Sequence, residues 1–244
     1  MRSTRVIRRV NTIYPAYVAP KNAKLSERSL EILPDLISER EENLLIESFA
    51  PLLNFRYQGT HWDDVIVKYR EVELDVHQNP LWLEVTGRIH EAVKRQQGRP
   101  NLAFLPPHVV DLAADGHIGP HVDSVKFSGD IVAGVSLLSC RVMRLDRDVE
   151  AHAALAPDHP AIIADAPDIN AVEFFLPRRS LYIMAGPLRY FFSHQVLGQG
   201  SPSGLPALLP PACSDKPVCD PQTHEHPHSA FQRRISIITR DVFV

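Results

Sequence analysis

From about residue 104 onward the chain is a succession of short, strand-like runs separated by turns, and few folds can accommodate that. The clearest run is Ile131-Val132-Ala133-Gly134-Val135-Ser136-Leu137-Leu138. Val142–Leu145, Phe174–Leu176, Ser180–Met184, Tyr190–Val196 and Ile235–Ile238 follow it, and Val109, Val110 and Leu112 precede it. Segments this short and this rich in β-branched and aromatic residues read as strands, and many of them at close spacing imply a sandwich or jelly roll. Two helices are expected before them. Ser38-Glu39-Arg40-Glu41 fits a capping box, with Leu44, Leu45, Phe49, Leu52 and Leu53 at helical spacing behind it. Asn79-Pro80 offers an N-cap and a proline at the first helical position, Trp82, Leu83, Ile89 and Val93 form a stripe, and Gly98 closes it. Both helices read as packing elements, with their aromatics in the core rather than on a base-stacking platform. Residues 54–78, with Phe55, Tyr57 and Val65–Tyr69, read as a strand or a loop. The expected class is therefore mainly β with N-terminal helices: an α+β double-stranded β-helix, or jelly roll.

A length of 244 residues suits one large domain. The 21 prolines against 11 glycines point to long ordered loops, and two stretches, about 146–170 and 198–230, read as surface insertions. No apolar run is long enough to span a membrane. Charge is unevenly placed. Residues 1–26 carry six basic side chains (Arg2, Arg5, Arg8, Arg9, Lys21 and Lys24) and no acid. Without those six, 20 basic residues face 29 acidic ones, a charge of −9. An acidic body does not steer nucleic acid to itself, because such binding rests on phosphate neutralisation, and duplex DNA is disfavoured as a partner. Arg56, Lys68 and Arg70 are too few to make a basic lid. The Arg-rich, acid-free start has the composition of a mitochondrial transit peptide, with a basic tail as the alternative; this leaves residues 27–244 as the single folded domain. Cys140, Cys213 and Cys219 imply no disulfide framework.

Chemistry concentrates in Ile118-Gly119-Pro120-His121-Val122-Asp123-Ser124. On an extended strand residues i and i+2 share a face, so His121 and Asp123 converge. They supply two thirds of a 2-His-1-carboxylate triad, the ligand set of non-haem Fe(II) oxygenases. Gly119 and Pro120 exclude a helical zinc pair of His117 with His121. Near the end of the chain Arg234, Ser236, Ile238 and Arg240 share one strand face, with the two arginine Cα atoms roughly 20 Å apart. Guanidinium groups suit carboxylates. Arg233 reads as a solvated neighbour. His224, His226 and His228 sit in a Pro-rich loop and read as an incidental cluster rather than a metal site.

The H-x-D pair, the strand-borne His194 and the terminal R-x(5)-R, together with Ala133–Leu138 and Ser180–Ile183, resemble the AlkB family of Fe(II)/2-oxoglutarate dioxygenases. The similarity is greatest to the mitochondrial branch known as AlkB homologue seven. It covers the chain from about residue 30 onward, outside the two insertions. The resemblance implies a metal centre of His121, Asp123 and His194 holding Fe(II), with 2-oxoglutarate and O2 as co-substrates. It also implies co-substrate binding by Tyr182, Arg234, Ser236 and Arg240, with Arg234 on the distal carboxylate, Arg240 at the end near the metal and no catalytic side chain beyond the ligands. The nucleic-acid demethylases of the family end in R-x-N-x-T-x-R. Here Ser236 and Ile238 replace the Asn and Thr, as they do in the mitochondrial branch; the arginines for the co-substrate remain, but the polar side chains that go with the demethylases' substrate geometry are lost.

These features imply a mitochondrial, matrix-located dioxygenase that hydroxylates a protein or an N-methylated RNA and releases succinate and CO2. The branch carries an association with alkylation-induced programmed necrosis and fatty-acid metabolism. The alternative is a metal- and 2-oxoglutarate-binding interaction module with little turnover.

Overall fold

A computed structural model describes residues 17–18, 29–61, 63–150, 170–198, 201 and 233–242. The basic N-terminus outside Tyr17–Val18, most of both insertions, Cys213, Cys219 and the His224–His228 cluster lie outside the described residues.

The helices begin and end where local chemistry dictates. Helix α1 spans Glu39–Phe49. The Ser38 hydroxyl accepts from the Glu41 amide while the Glu41 carboxylate takes the Ser38 amide at 2.8 Å, completing the capping box. Arg88 donates to the same carboxylate, and it is the largest influence holding the Glu41 carboxyl down at about 2. Helix α2 spans Pro80–Gln97, capped by the Asn79 side chain and closed by Gly98 in the left-handed region. Leu45, Phe49, Trp82, Val85, Ile89 and Val93 are buried. Leu44 and Leu83 are not; each lies at the rim of its stripe, where helical spacing alone does not separate core from surface.

Among the described residues eleven strands precede, separate or follow these helices: β1 (Tyr17–Val18), β2 (Leu30–Leu33), β3 (Gln58–Thr60), β4 (Ile66–Glu73), β5 (His108–His121), β6 (Ile131–Leu137), β7 (Arg141–Arg147), β8 (Ala171–Leu176), β9 (Leu181–Ala185), β10 (Phe192–Val196) and β11 (Arg234–Arg240). A four-residue helix α3, Pro187–Tyr190, precedes β10. Residues 54–78 thus resolve into the β3–β4 hairpin. Tyr17–Val18 pairs with β8, so a cleavage beyond Val18 would remove an edge strand.

Strand β5 organises the barrel. Its first half, His108–Leu112, pairs with β11 and β4; its last residues pair with β10, His121 facing His194 and Ile118 facing Val196. One strand therefore belongs to two sheets: β4-β5-β11-β6-β9-β2 on one side and β5-β10-β7-β8-β1 on the other. The change of sheet occurs at a register shift opposite Lys68, whose φ is 51°. Gly116 sits at this bend, where a Cβ would lie 2.7 Å from the Lys68 carbonyl oxygen. Lys68 is ion-paired with Asp115 across the same bend.

The first sheet is buried on both faces, which explains why β6 reads as an unbroken apolar run. Ile131, Ala133, Val135, Ile183, Ile235 and Ile237 pack under α1 and α2. On the opposite face Val110, Leu112, Val132, Tyr182, Met184 and Ile238 meet Met143, Leu145, Phe174, Phe192 and Val196 of the second sheet. This is the expected jelly roll. The functional side chains emerge into the space between its sheets.

Two sequence expectations are corrected. Arg233 is not a solvated neighbour: its Nε donates to Asp111 Oδ1 at 2.8 Å. Asp111 is fully buried, and Arg70 and the Tyr57 hydroxyl share it. A buried carboxylate needs such partners. Cys140 is disulfide-bonded, although three cysteines without a CxxC gave no such expectation.

Candidate metal centre

His121 ends β5, and Asp123 lies two residues beyond it. His194 is the third residue of β10, directly across the ladder from His121. The two imidazoles stand 4.2 Å apart, and one donor atom from each of His121, Asp123 and His194 lies within 4.8 Å of the others. His194 Nε2 is 3.7 Å from Asp123 Oδ2. Among the described residues this is the one group of three or more such side chains placed to hold a metal ion.

The electrostatics suit a cation. Burial pushes the Asp123 carboxyl up, but Arg240, His194 and His121 outweigh it and hold the carboxyl well below the usual range. Burial, with repulsion from His121 second, pushes His194 down to about 3, so its ring is neutral and able to ligate. The His121 Nδ1 lies 3.0 Å from the Gly119 carbonyl oxygen, which fixes that nitrogen as the donor and frees Nε2. Asp123 Oδ2 is buried without a hydrogen-bond partner while Oδ1 accepts from Arg240 Nη2 at 3.0 Å. An unpartnered buried carboxylate oxygen facing two imidazoles is the donor set that Fe(II) requires, so the residues fit the ion.

Beside the centre lies a cavity lined by Tyr182, Met143, Val196, Arg234, Ile238 and Arg240, among others. Arg234 is fully buried. Its Nε and Nη2 donate to Ser136 Oγ at 3.3 and 2.9 Å, whereas Nη1 has no partner. Burial lowers Arg234 to about 10, where it is still charged at neutral pH. A desolvated guanidinium offering a donor to a cavity is a receptor for a carboxylate. Tyr182 is also buried, its hydroxyl pushed up in pKa by desolvation, and its ring lies against Gly134, where a Cβ would be 2.7 Å from the ring. Of the residues expected to hold the co-substrate, Tyr182, Arg234 and Arg240 line this cavity. Ser236 does not: it shares the strand face, but its hydroxyl donates to the Val110 carbonyl at 3.5 Å.

Sequence reasoning missed two participants. Ser136, paired with Ser236 across β6 and β11, orients Arg234; its only signal was a hydroxyl inside an apolar run. Arg189 reaches the Asp123 backbone from α3, and nothing in its local sequence announced that.

The comparisons agree with this geometry. No family model matches the chain. The mouse protein "Alpha-ketoglutarate-dependent dioxygenase alkB homolog 7, mitochondrial" is 37% identical over 166 residues, covering 67% of this chain and 65% of the mouse protein. The Bos taurus protein of the same name is 33% identical over 209 residues, covering 75% of this chain and 85% of the bovine one. Two solved structures share the fold. OsALKBH1 has a TM-score of 0.53 at 13% identity, over 89% of this chain and all of that one; a Pseudomonas putida prolyl-4-hydroxylase has 0.53 at 9%, over 88% and 93%. With its jelly roll, its His-Asp-His centre and its identity to relatives of that name, the chain belongs to the alkB homolog 7 family of alpha-ketoglutarate-dependent dioxygenases.

Proposed function

We propose that this protein is a mitochondrial Fe(II)/2-oxoglutarate dioxygenase that hydroxylates a protein side chain, with release of succinate and CO2. The observation that carries the reading is the joining of His121, Asp123 and His194 to the Arg234 cavity. His121, Asp123 and His194 would hold Fe(II), which supplies the oxidising chemistry when bound with 2-oxoglutarate and O2. The chain's own residues do the rest. Arg234 and Tyr182 bind and orient the 2-oxo acid, Arg240 steadies Asp123, and Phe191, Phe192 and Val196 exclude water.

Protein is favoured over RNA by the outer cavity that opens onto His121 and Asp123. Its walls include Asp63, Glu71 and Glu73, and of the described residues lining it Arg240 is the only arginine or lysine. Such walls repel a polyanion and accept a neutral or cationic side chain. N-methylated RNA is the second reading, and it rests on the resemblance to the AlkB family alone. A matrix location rests on the acid-free start of the chain and on relatives that are named mitochondrial. Roles in programmed necrosis and fatty-acid metabolism rest on the family resemblance.

The test is a substrate screen. Protein loaded with Fe(II) and 2-oxoglutarate without oxygen is mixed with mitochondrial protein extract and with methylated mitochondrial transfer RNA, started with O2 and read by mass spectrometry. A gain of one oxygen on a protein is expected. Loss of a methyl group from RNA, with no modified protein, would overturn the protein reading. Metal and 2-oxoglutarate binding with no succinate formed would make the protein an interaction module instead.

A further inference from the structure

Arg189 is fully buried, yet no carboxylate pairs with it among the described contacts. Removing a guanidinium from water costs several kcal/mol unless it is well partnered. This one is partnered by the loop that carries the metal-ligand carboxylate. Its Nη1 donates to the Asp123 carbonyl at 2.9 Å. Its Nη2 donates to the Ser124 carbonyl at 3.4 Å and to Ser128 Oγ at 2.8 Å. Ser128 Oγ in turn donates to the Ser124 carbonyl at 3.1 Å. The loop from Asp123 to Ser128 is thus tied to one side chain, and that side chain is anchored on α3, three residues before β10 begins to deliver His194.

We propose that Arg189 is a positioning residue of the metal centre, setting the orientation of Asp123 from behind its backbone. The inference rests on the reading of His121, Asp123 and His194 as metal ligands. Asp123 is held at both ends. Arg240 takes Oδ1 and Arg189 takes the main-chain carbonyl, and between them they leave Oδ2 aimed at the two imidazoles. The ligand two residues past the end of β5 gains from α3 the rigidity that His121 and His194 gain from their ladder. α3 lies between β9, which contributes Tyr182 to the co-substrate cavity, and β10, which contributes His194, so the clamp ties all three segments together.

Co(II) titrations of the full chain test this, because visible absorption reports both affinity and ligand geometry without turnover. Supporting contacts of this kind are worth about 10–100-fold in metal affinity. Arg189→Met is expected to weaken Co(II) binding by that factor and to alter the band pattern. Arg189→Lys, which can still donate to one carbonyl, is expected to recover part of the affinity. Ser128→Ala, which removes one partner and keeps the guanidinium, is expected to give a smaller loss in the same direction. Circular dichroism of the metal-free proteins identifies variants that fail to fold; if Arg189→Met does, the comparison is made on Arg189→Lys and Ser128→Ala. Wild-type affinity and spectrum in the folded variants would overturn the positioning role. A wild-type chain that binds no Co(II) would instead overturn the metal reading on which it rests.

Discussion

At the residue scale, the site works by leaving particular atoms unpartnered in dry surroundings. Arg234 Nη1 is one of them. Replacing Arg234 with Met removes a charged hydrogen bond worth about 1.5–3 kcal/mol, so the KM for 2-oxoglutarate should rise by about 10–100-fold; an unchanged KM in steady-state succinate assays would remove Arg234 from the co-substrate site. Gly134 makes the same point through space rather than charge. Its missing Cβ is where the Tyr182 ring rests. Gly134→Ala should push that ring out of place and raise the KM for 2-oxoglutarate by up to about tenfold, the worth of one hydrogen bond, while far-UV dichroism stays that of the wild type. Residue-scale features were unevenly legible. His121 and Asp123 could be read because their pairing is local. Arg233 could not, because Asp111 lies 122 positions away and only the β5–β11 ladder brings them together. Arg189 was hidden for the same reason.

At the scale of elements, helix ends were readable and helix faces less so. Ser38, Glu41, Asn79, Pro80 and Gly98 act on backbone groups within four residues, so the sequence alone specifies them. Leu44 and Leu83 depend on where the sheet lies, which spacing does not reveal. The switch of β5 between sheets also escaped reading, since it needs the Lys68 bulge on a neighbouring strand. Two predictions belong here. Asp111 links β4, β5 and β11 through Arg70 and Arg233. Asp111→Ala leaves two guanidinium groups without their carboxylate and should cost about 3–5 kcal/mol in denaturant unfolding; a loss under 1 kcal/mol would show that the cluster does not hold the strands. The second concerns His90, which joins α2 to β11 through Thr239 Oγ1 at 3.0 Å and stacks on Phe104. Burial lowers its pKa from 6.5 to about 4. The unfolded chain therefore binds the proton more tightly, and the stability His90 gives is complete above about pH 6.5 and is lost as the pH falls toward 4. His90→Gln should flatten the stability profile across that window. A profile unchanged between pH 6.5 and 4 would contradict the assignment.

At the scale of the whole molecule, two packed faces of one sheet divide the labour. The outer face with α1 and α2 is apolar and holds the sheet rigid; the inner face carries Tyr182, Arg234 and Arg240 toward the ligands delivered by β5 and β10. The jelly roll was legible because its strands are short, apolar and closely spaced. The extra strand at Tyr17–Val18 was not, because it sits inside a segment whose composition reads as an address. Targeting is tested by fusing residues 1–30 to a reporter, for which mitochondrial import is expected and a cytosolic reporter would contradict it. The central claim is that His121, Asp123 and His194 hold the iron that couples 2-oxoglutarate to O2. It is tested most directly by succinate formation, started with O2 in anaerobically loaded wild type and His121→Ala at equal concentration. The account predicts several succinates per wild-type chain and none from the variant above the free-iron background. Equal yields from the two proteins would contradict it.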